Sequence, residues 1–297
     1  MKQLGIIERL RLLSVFGAGN YALTKYIDEK DPCGSYDRLL HDDALAGDRY
    51  VKELRRLSDK QFENVIGRCR EHGIKIVTPD DDAFPEKLLV LDEVPLMLFV
   101  FGDISCVKDT CAAAVVGSRK PSEYSESIAR AFAGELASKK AAIISGFAKG
   151  IDTAAHRAAI DTGGVTVAVL GCGLLYDYPK GTMRFKKEIA ERGAVISEYM
   201  PTEEPEKPYF LVRNRLISGL SECTLVVEAS RRSGALNTAQ HAAQQGKDVF
   251  VIPPHDLLSE RYLGQSGLLY DGAELALHPS DIYERIVEKH DFYKMCF

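Results

Sequence analysis

The chain carries no excess of positive charge: 38 Lys and Arg stand against 43 Asp and Glu in 297 residues, a formal net charge of -5. A protein that coats nucleic acid through bulk electrostatics needs the opposite balance, so that class is excluded. No apolar run approaches the roughly 18 residues of a membrane span, and the charged N-terminal stretch MKQLGIIERLRLL does not read as a signal peptide. The seven cysteines, Cys33, Cys69, Cys106, Cys111, Cys172, Cys223 and Cys296, are odd in number and form no C-x-x-C pair. That argues for free thiols in a cytoplasmic protein, without a disulfide framework or a zinc site. Of the seven histidines only His156 and His241 come into question as a ligand pair, and nothing in their spacing asks for a metal. Both G-x-x-x-x-G-K-[ST] and G-x-G-x-x-G are missing, which points away from an NTPase and an ordinary NAD enzyme, and no cofactor is expected. Internal repeats and low-complexity tracts are also lacking.

What is present is enough apolar residue, 45%, to bury a core, with 27% charged residues, a balance that excludes wholesale disorder. Residues 1–72 hold no convincing strand. Leu10, Leu12, Leu13 and Val15 precede Phe16-Gly17-Ala18-Gly19-Asn20, and a helical pattern resumes through Tyr21, Leu23, Tyr26, Leu39, Leu54, Phe62 and Ile66. This reads as a small all-helical domain. Its G-x-G is either a plain turn or a phosphate-facing turn of the helix-hairpin-helix kind.

From Ile74 onward the period changes. Apolar runs of strand length recur at Ile74 to Val77, Leu96 to Phe101, Ala112 to Val116, Ala141 to Ile144, Val165 to Leu170, Ala194 to Ile196, Thr224 to Val227 and Val249 to Ile252. Helical stretches separate most of them, at Ser122 to Ser138, Thr153 to Thr162, Arg184 to Arg192 and Leu236 to Gln245. Continuous apolar strands alternating with helices predict a mostly parallel, doubly wound α/β sheet covered on both faces, over 73–297. After Pro253-Pro254 the alternation fades, leaving a last helix near Asp281 to Lys289.

In such a sheet the site lies beyond the carboxyl ends of the strands. The segments there are Gly117-Ser118-Arg119-Lys120, Ser145-Gly146-Phe147-Ala148-Lys149-Gly150, Gly171-Cys172-Gly173 with Tyr178-Pro179-Lys180, Ser197-Glu198, and Glu228 with Arg231-Arg232-Ser233-Gly234. Small residues, hydroxyls and cations gathered on one edge suit phosphate. Gly117 and Gly146 also fit as mere tight turns, Ser122 and Thr153 as helix caps, Asp152 and His156 as a hydrogen-bonded pair one helical turn apart, and Lys186-Lys187 as a solvated face. Glu198 and Glu228 serve either as acid and base at a ribose or as anchors for Arg213 and Arg215. Tyr178, Phe185 and Phe210 are stacking partners for bases or members of the core.

Taken in order, Val115-Val116-Gly117-Ser118-Arg119, Ser145-Gly146-Phe147-Ala148-Lys149-Gly150-Ile151-Asp152 with His156, Tyr178-Pro179-Lys180, Ser197-Glu198, Arg213-Asn214-Arg215, Glu228-Ala229, Ser233-Gly234 and Thr238-Ala239 resemble the DNA-processing protein A (DprA, or Smf) family over about residues 75 to 275. The resemblance implies an extended Rossmann domain, preceded by a SAM-like helical domain at 1–72. It further implies a homodimer that binds single-stranded DNA, protects incoming strands and loads the RecA recombinase in natural transformation and recombination, as a mediator and not an enzyme. Arg119 and Lys180 would contact the DNA backbone, Gly117, Ser118, Ser145 and Gly146 would line the phosphate pocket, and Lys149 would stand beside it. The winged-helix domain that follows in some members is not expected here. Two positions depart from the family's pattern: Thr182 stands where Asn is usual, and Pro253-Pro254-His255 where Pro-Gly is usual. A more distant resemblance to phosphoribohydrolases would make the chain a nucleotide-processing enzyme through Glu228, Ser233-Gly234 and Thr238, although the Gly-Gly-x-Gly-Thr motif of those enzymes is missing. A pure scaffold, retaining no single strand, is the third possibility. Between Ala112 and Pro253 the cations lead by 18 to 15, while the flanks hold 20 against 28, so a local cationic pocket fits an acidic chain.

Overall fold

Runs such as AAAVV, AIIS and TVAVL carry no polar face, so they are stable only with both sides covered, and that requirement sets the architecture. The computed structural model describes residues 3–19, 21–28 and 30–296, the side chains of 21, 22 and 292–296 excepted. Asn20 of the G-x-G turn, the Tyr21 side chain and the Cys296 thiol therefore lie outside the described residues.

Four helices come first: α1 (Ile6–Phe16), α2 (Pro32–His41), α3 (Arg49–Arg56) and α4 (Asp59–Glu71). Asp31 and Asp48 cap α2 and α3 by accepting from amides of their first turns. Leu12, Phe16, Leu39, Val51 and Leu54 form a cluster of their own, whereas Leu10, Leu13, Phe62 and Cys69 pack against Phe99 and Leu170 of the sheet. Gly17 and Gly19 both have positive φ, and the Gly17 amide donates to the Leu13 carbonyl at 2.9 Å, as in a plain helix-ending turn.

The sheet has nine strands: β1 (Ile74–Val77), β2 (Leu98–Gly102), β3 (Ala112–Val116), β4 (Ala142–Ser145), β5 (Thr166–Leu170), β6 (Gly193–Ser197), β7 (Cys223–Val226), β8 (Asp248–Val251) and β9 (Glu274–Leu275). Their order is β1-β2-β6-β5-β4-β3-β7-β8-β9. β2 is antiparallel to β1 and to β6, and the remaining pairs are parallel. The chain runs outward from β3 through α5 (Glu123–Ser138), α6 (Ile151–Asp161) and α7 (Met183–Ala190), which cover one face. It then crosses back over the other face on α8 (Lys207–Gly219) and continues through α9 (Gly234–Gln244) and α10 (Leu263–Tyr270), and α11 (Pro279–Cys296) returns to the first face. The order therefore reverses between β3 and β7, which is where an open α/β sheet leaves a crevice.

Four expectations change here. A helix occupies Lys207–Gly219, where the sequence reading placed none, and the alternation past Pro254 continues through α10 and β9. Thr153 lies inside α6 and donates its hydroxyl to the Ala148 carbonyl at 2.7 Å, so it is not the cap, while Ser122 does cap α5. His156 and His241 sit on α6 and α9, on opposite faces of the sheet.

Candidate nucleic-acid interface

Two cavities open at the carboxyl edge. The first, about 740 Å³, lies over the ends of β4 and β5 and is lined by Arg119, Lys120, Lys149, Lys180, Tyr178 and Phe210, among others. Its walls carry five cations, with Arg213 the fifth, against the single carboxylate of Asp177. The second, about 620 Å³, lies at the reversal between β3 and β7 and is lined by Gly117, Ser118, Arg119, Asn214, Gly234 and Thr238, among others. Arg119, Tyr178, Phe210 and Arg213 belong to both.

Arg119, Lys149 and Lys180 are exposed, and none of the three forms a salt bridge among the described residues. The Arg119 guanidinium sits over the Phe210 ring at 5.2 Å, and Tyr178 lies 5.5 Å from Phe210. A cation held on an aromatic face leaves its remaining donors for an anion. Phe185 does not join them. It is buried under β5, stacked on Phe147 at 5.5 Å with Arg157 over its other side, and belongs to the core.

The loop after β4 is built from beneath. Phe147 has φ 59°, rare for a bulky side chain, and this turns its ring down onto Phe185 while Ala148 and Lys149 face the cavity. Asp152, at the start of α6, is buried and accepts from the Gly146 and Ala148 amides at 3.1 and 3.2 Å. Burial pushes its carboxyl up, and Arg213 and the two amides oppose that shift. Arg213 itself is held down to about 10 by burial and donates to the carbonyls of Gly146 (2.7 Å) and Val169. A Cβ at Gly146 would fall 2.8 Å from both Arg213 Nη2 and Asp152 Oδ2, so only glycine leaves room for both side chains to reach this loop. At Gly117 it would press on Ile151 and the Glu228 carbonyl.

Of the seven residues singled out from the sequence, Gly117, Ser118, Arg119, Gly146, Lys149 and Lys180 line one cavity or both. Ser145 does not. It is fully buried, and its hydroxyl donates to the Val115 carbonyl at 2.6 Å, tying β4 to β3. Thr182, which stands where the family usually has Asn, donates to the Pro179 carbonyl at 2.6 Å and helps close the turn that carries Lys180.

Other pairings differ from expectation. Asp152 and His156 do not bond to each other, since His156 Nδ1 pairs with the Thr166 hydroxyl at 2.7 Å. Lys186 is buried and donates to the Leu174 and Tyr176 carbonyls, so only Lys187 fits the solvated face. Glu198 anchors Arg215 through both oxygens, at 2.7 and 2.8 Å, as one alternative proposed. Glu228 anchors neither Arg213 nor Arg215. Its fully buried carboxylate accepts from the Ser122 amide at 2.9 Å and from Arg261 at 3.0 Å. Burial alone would raise that carboxyl, and the Ser122 and Arg261 donors keep it below the usual range. The carboxylate that a nucleotide-cleaving site would need is thus committed to the start of α5. Arg261 also donates to the Lys120 carbonyl at 2.7 Å and fixes the Gly-Ser-Arg-Lys loop from a segment that carried no sequence signal.

Comparison with known proteins agrees with this geometry. The family model described as DNA recombination-mediator protein A matches residues 75–287. The DNA processing protein DprA of Bacillus subtilis is 32% identical over 233 residues, covering 78% of each chain. The X-ray structure of DNA processing protein A from Streptococcus pneumoniae superposes with a TM-score of 0.82 at 32% identity, over 95% of this chain and 98% of that one. A second, from Helicobacter pylori, superposes with a TM-score of 0.64 at 30% identity, over 72% of this chain and 96% of that one, and is described as giving insight into a single-stranded DNA binding mode. This chain belongs to the DNA processing protein A family of recombination mediators.

Proposed function

We propose that the chain binds single-stranded DNA in the groove between Arg119, Lys149 and Lys180, protects incoming strands, and loads the RecA recombinase onto them in natural transformation and recombination. It does so as a cytoplasmic homodimer and without catalysing a reaction. The carrying observation is the convergence of three exposed cations without carboxylate partners around Tyr178 and Phe210, in one cavity at the carboxyl edge of the sheet. Exposed phosphates and unstacked bases of a single strand call for that combination of charge and aromatic surface. Gly146 shapes the wall of the groove, Gly117 and Ser118 line the adjoining cavity that shares Arg119 with it, and Ser145 acts from beneath by holding β4. The similarity to the Helicobacter pylori protein supports the reading.

Residues 1–72 form the helical SAM-like unit of this assembly and 73–297 the DNA-binding unit. The separate Leu12 and Leu54 cluster supports that division, as does the family match beginning at residue 75. Among the described residues no helix is long and apolar enough to cross a membrane.

Fluorescence anisotropy with oligothymidine and with duplex DNA tests the groove. Arg119→Ala and Lys180→Ala are each expected to weaken strand binding about tenfold or more and to flatten its salt dependence by about 0.7 per lost phosphate contact. Unchanged affinity and slope in both variants would sink the assignment. RecA assembly on strands coated with single-strand-binding protein tests loading, and no acceleration by the wild-type chain refutes that part.

A further inference from the structure

The cavity at the strand-order reversal has features that the groove does not use. Its lining holds Arg119, Lys207, Arg213 and Arg232 against the single carboxylate of Asp152, which is turned toward Gly146 and Ala148. Lys207 and Arg232 are exposed and make no salt bridge among the described residues. The N-terminus of α9, an eleven-residue helix, opens into the same space: a Cβ built on Gly234 would meet nothing within 4 Å. Asn214 on α8 steadies that end by donating to the Gly234 carbonyl at 3.2 Å and to Asn237 at 3.1 Å.

A helix start alone does not make a site, but Thr238 adds an independent mark. It is 1% exposed, lines the cavity, and its hydroxyl has no hydrogen-bond partner among the described residues. Helical side chains lean toward the N-terminus, so a residue four beyond Gly234 projects back toward the open first turn. A buried polar group is normally paired, and a hydroxyl left unpaired beside a cationic helix start fits an anion. The wall between this cavity and the groove is the Arg119 and Phe210 pair.

We propose that the reversal-point cavity is a second phosphate subsite for the same strand, which passes over the Arg119 and Phe210 wall and sets a further phosphodiester on the α9 N-terminus. The Thr238 hydroxyl and the Gly234 amide donate to it, and Lys207 and Arg232 supply counter-charge. This rests on the strand-binding reading above. A strand that fills only the groove does not reach the second subsite, and a longer one does.

The test is anisotropy across a ladder of oligothymidine lengths. Thr238→Val removes the hydroxyl at nearly constant volume and is expected to weaken only the longer strands, about tenfold, while Thr238→Ser restores them. Lys207→Gln with Arg232→Gln is expected to lower the salt slope for long strands by about 1.4 and leave short ones unchanged. The proposal is overturned if Thr238→Val matches wild type at every length, if its loss is the same at all lengths, or if Thr238→Ser fails to restore binding. Arg119→Ala separates the two readings: it weakens even the shortest strand if the groove is right, whatever the second subsite does.

Discussion

Arg215 on α8 grips both oxygens of Glu198 at the end of β6, at 2.7 and 2.8 Å, with both side chains almost wholly buried. The bond ties the outermost parallel strand of the outward half to the helix that carries the chain back, so it holds together the two halves whose meeting creates the crevice. Removing one partner leaves an uncompensated buried charge. Arg215→Met is therefore expected to lower the unfolding free energy by about 3–5 kcal/mol in urea titration, and a loss below about 1 kcal/mol would contradict this role.

The aromatic wall makes a different prediction from the cations. Phe210→Ala removes a stacking surface and no charge, and is expected to weaken oligothymidine binding by about 1–3 kcal/mol with an unchanged salt slope. A change in slope equal to that of Arg119→Ala would mean that Phe210 acts only by seating Arg119.

Gly146→Ala forces a methyl group against both Arg213 and Asp152. Overpacking of this kind costs about 1–3 kcal/mol, so a thermal melt is expected to fall measurably. Because Arg213 and the loop amides are displaced together, strand binding is expected to fall as well. A variant with wild-type melting and affinity would show that this corner gives way freely.

His156 sets a pH dependence. Burial holds its imidazole down to about 3, with the Arg213 charge adding to the effect. The unfolded chain binds that proton near its ordinary value of about 6.5, so below it the unfolded state holds more protons and stability is lost as pH falls toward 3. His156→Phe is expected to flatten the fall in urea midpoint between pH 6.5 and 4, and parallel curves for the two proteins would refute it.

Strand-length apolar runs make most of the sheet legible in the sequence, and β1 and β3 have the bounds of those runs. The cavity loops were legible too, because a parallel sheet restricts its ligands to the segments after the strands, and those segments hold glycine, serine and cations. The α8 helix was not, for a physical reason. Its buried side chains include Arg213, Asn214 and Arg215, so no apolar stripe marks it, and its inward face is polar because it meets carboxylates and carbonyls. Lys186 was misread in the same way, since a lysine that bonds to loop carbonyls has the same one-letter signal as one in water.

The alternation of residue types was therefore sufficient for most of the sheet, its covered faces, the edge that carries the two cavities, and the cations at that edge. Which acid meets which base was decided only by folding. Asp152 faces Arg213, Glu228 takes Arg261 and Ser122, and Glu198 takes Arg215, pairs separated by up to 106 residues. Periodicity is a local property and partner choice in a buried network is not: each charge takes the nearest group that restores what water provided, and nearness is set by the crossing of α8 over the sheet for Arg213 and Arg215 and by the meeting of the loops after β3, β7 and β8 for Glu228.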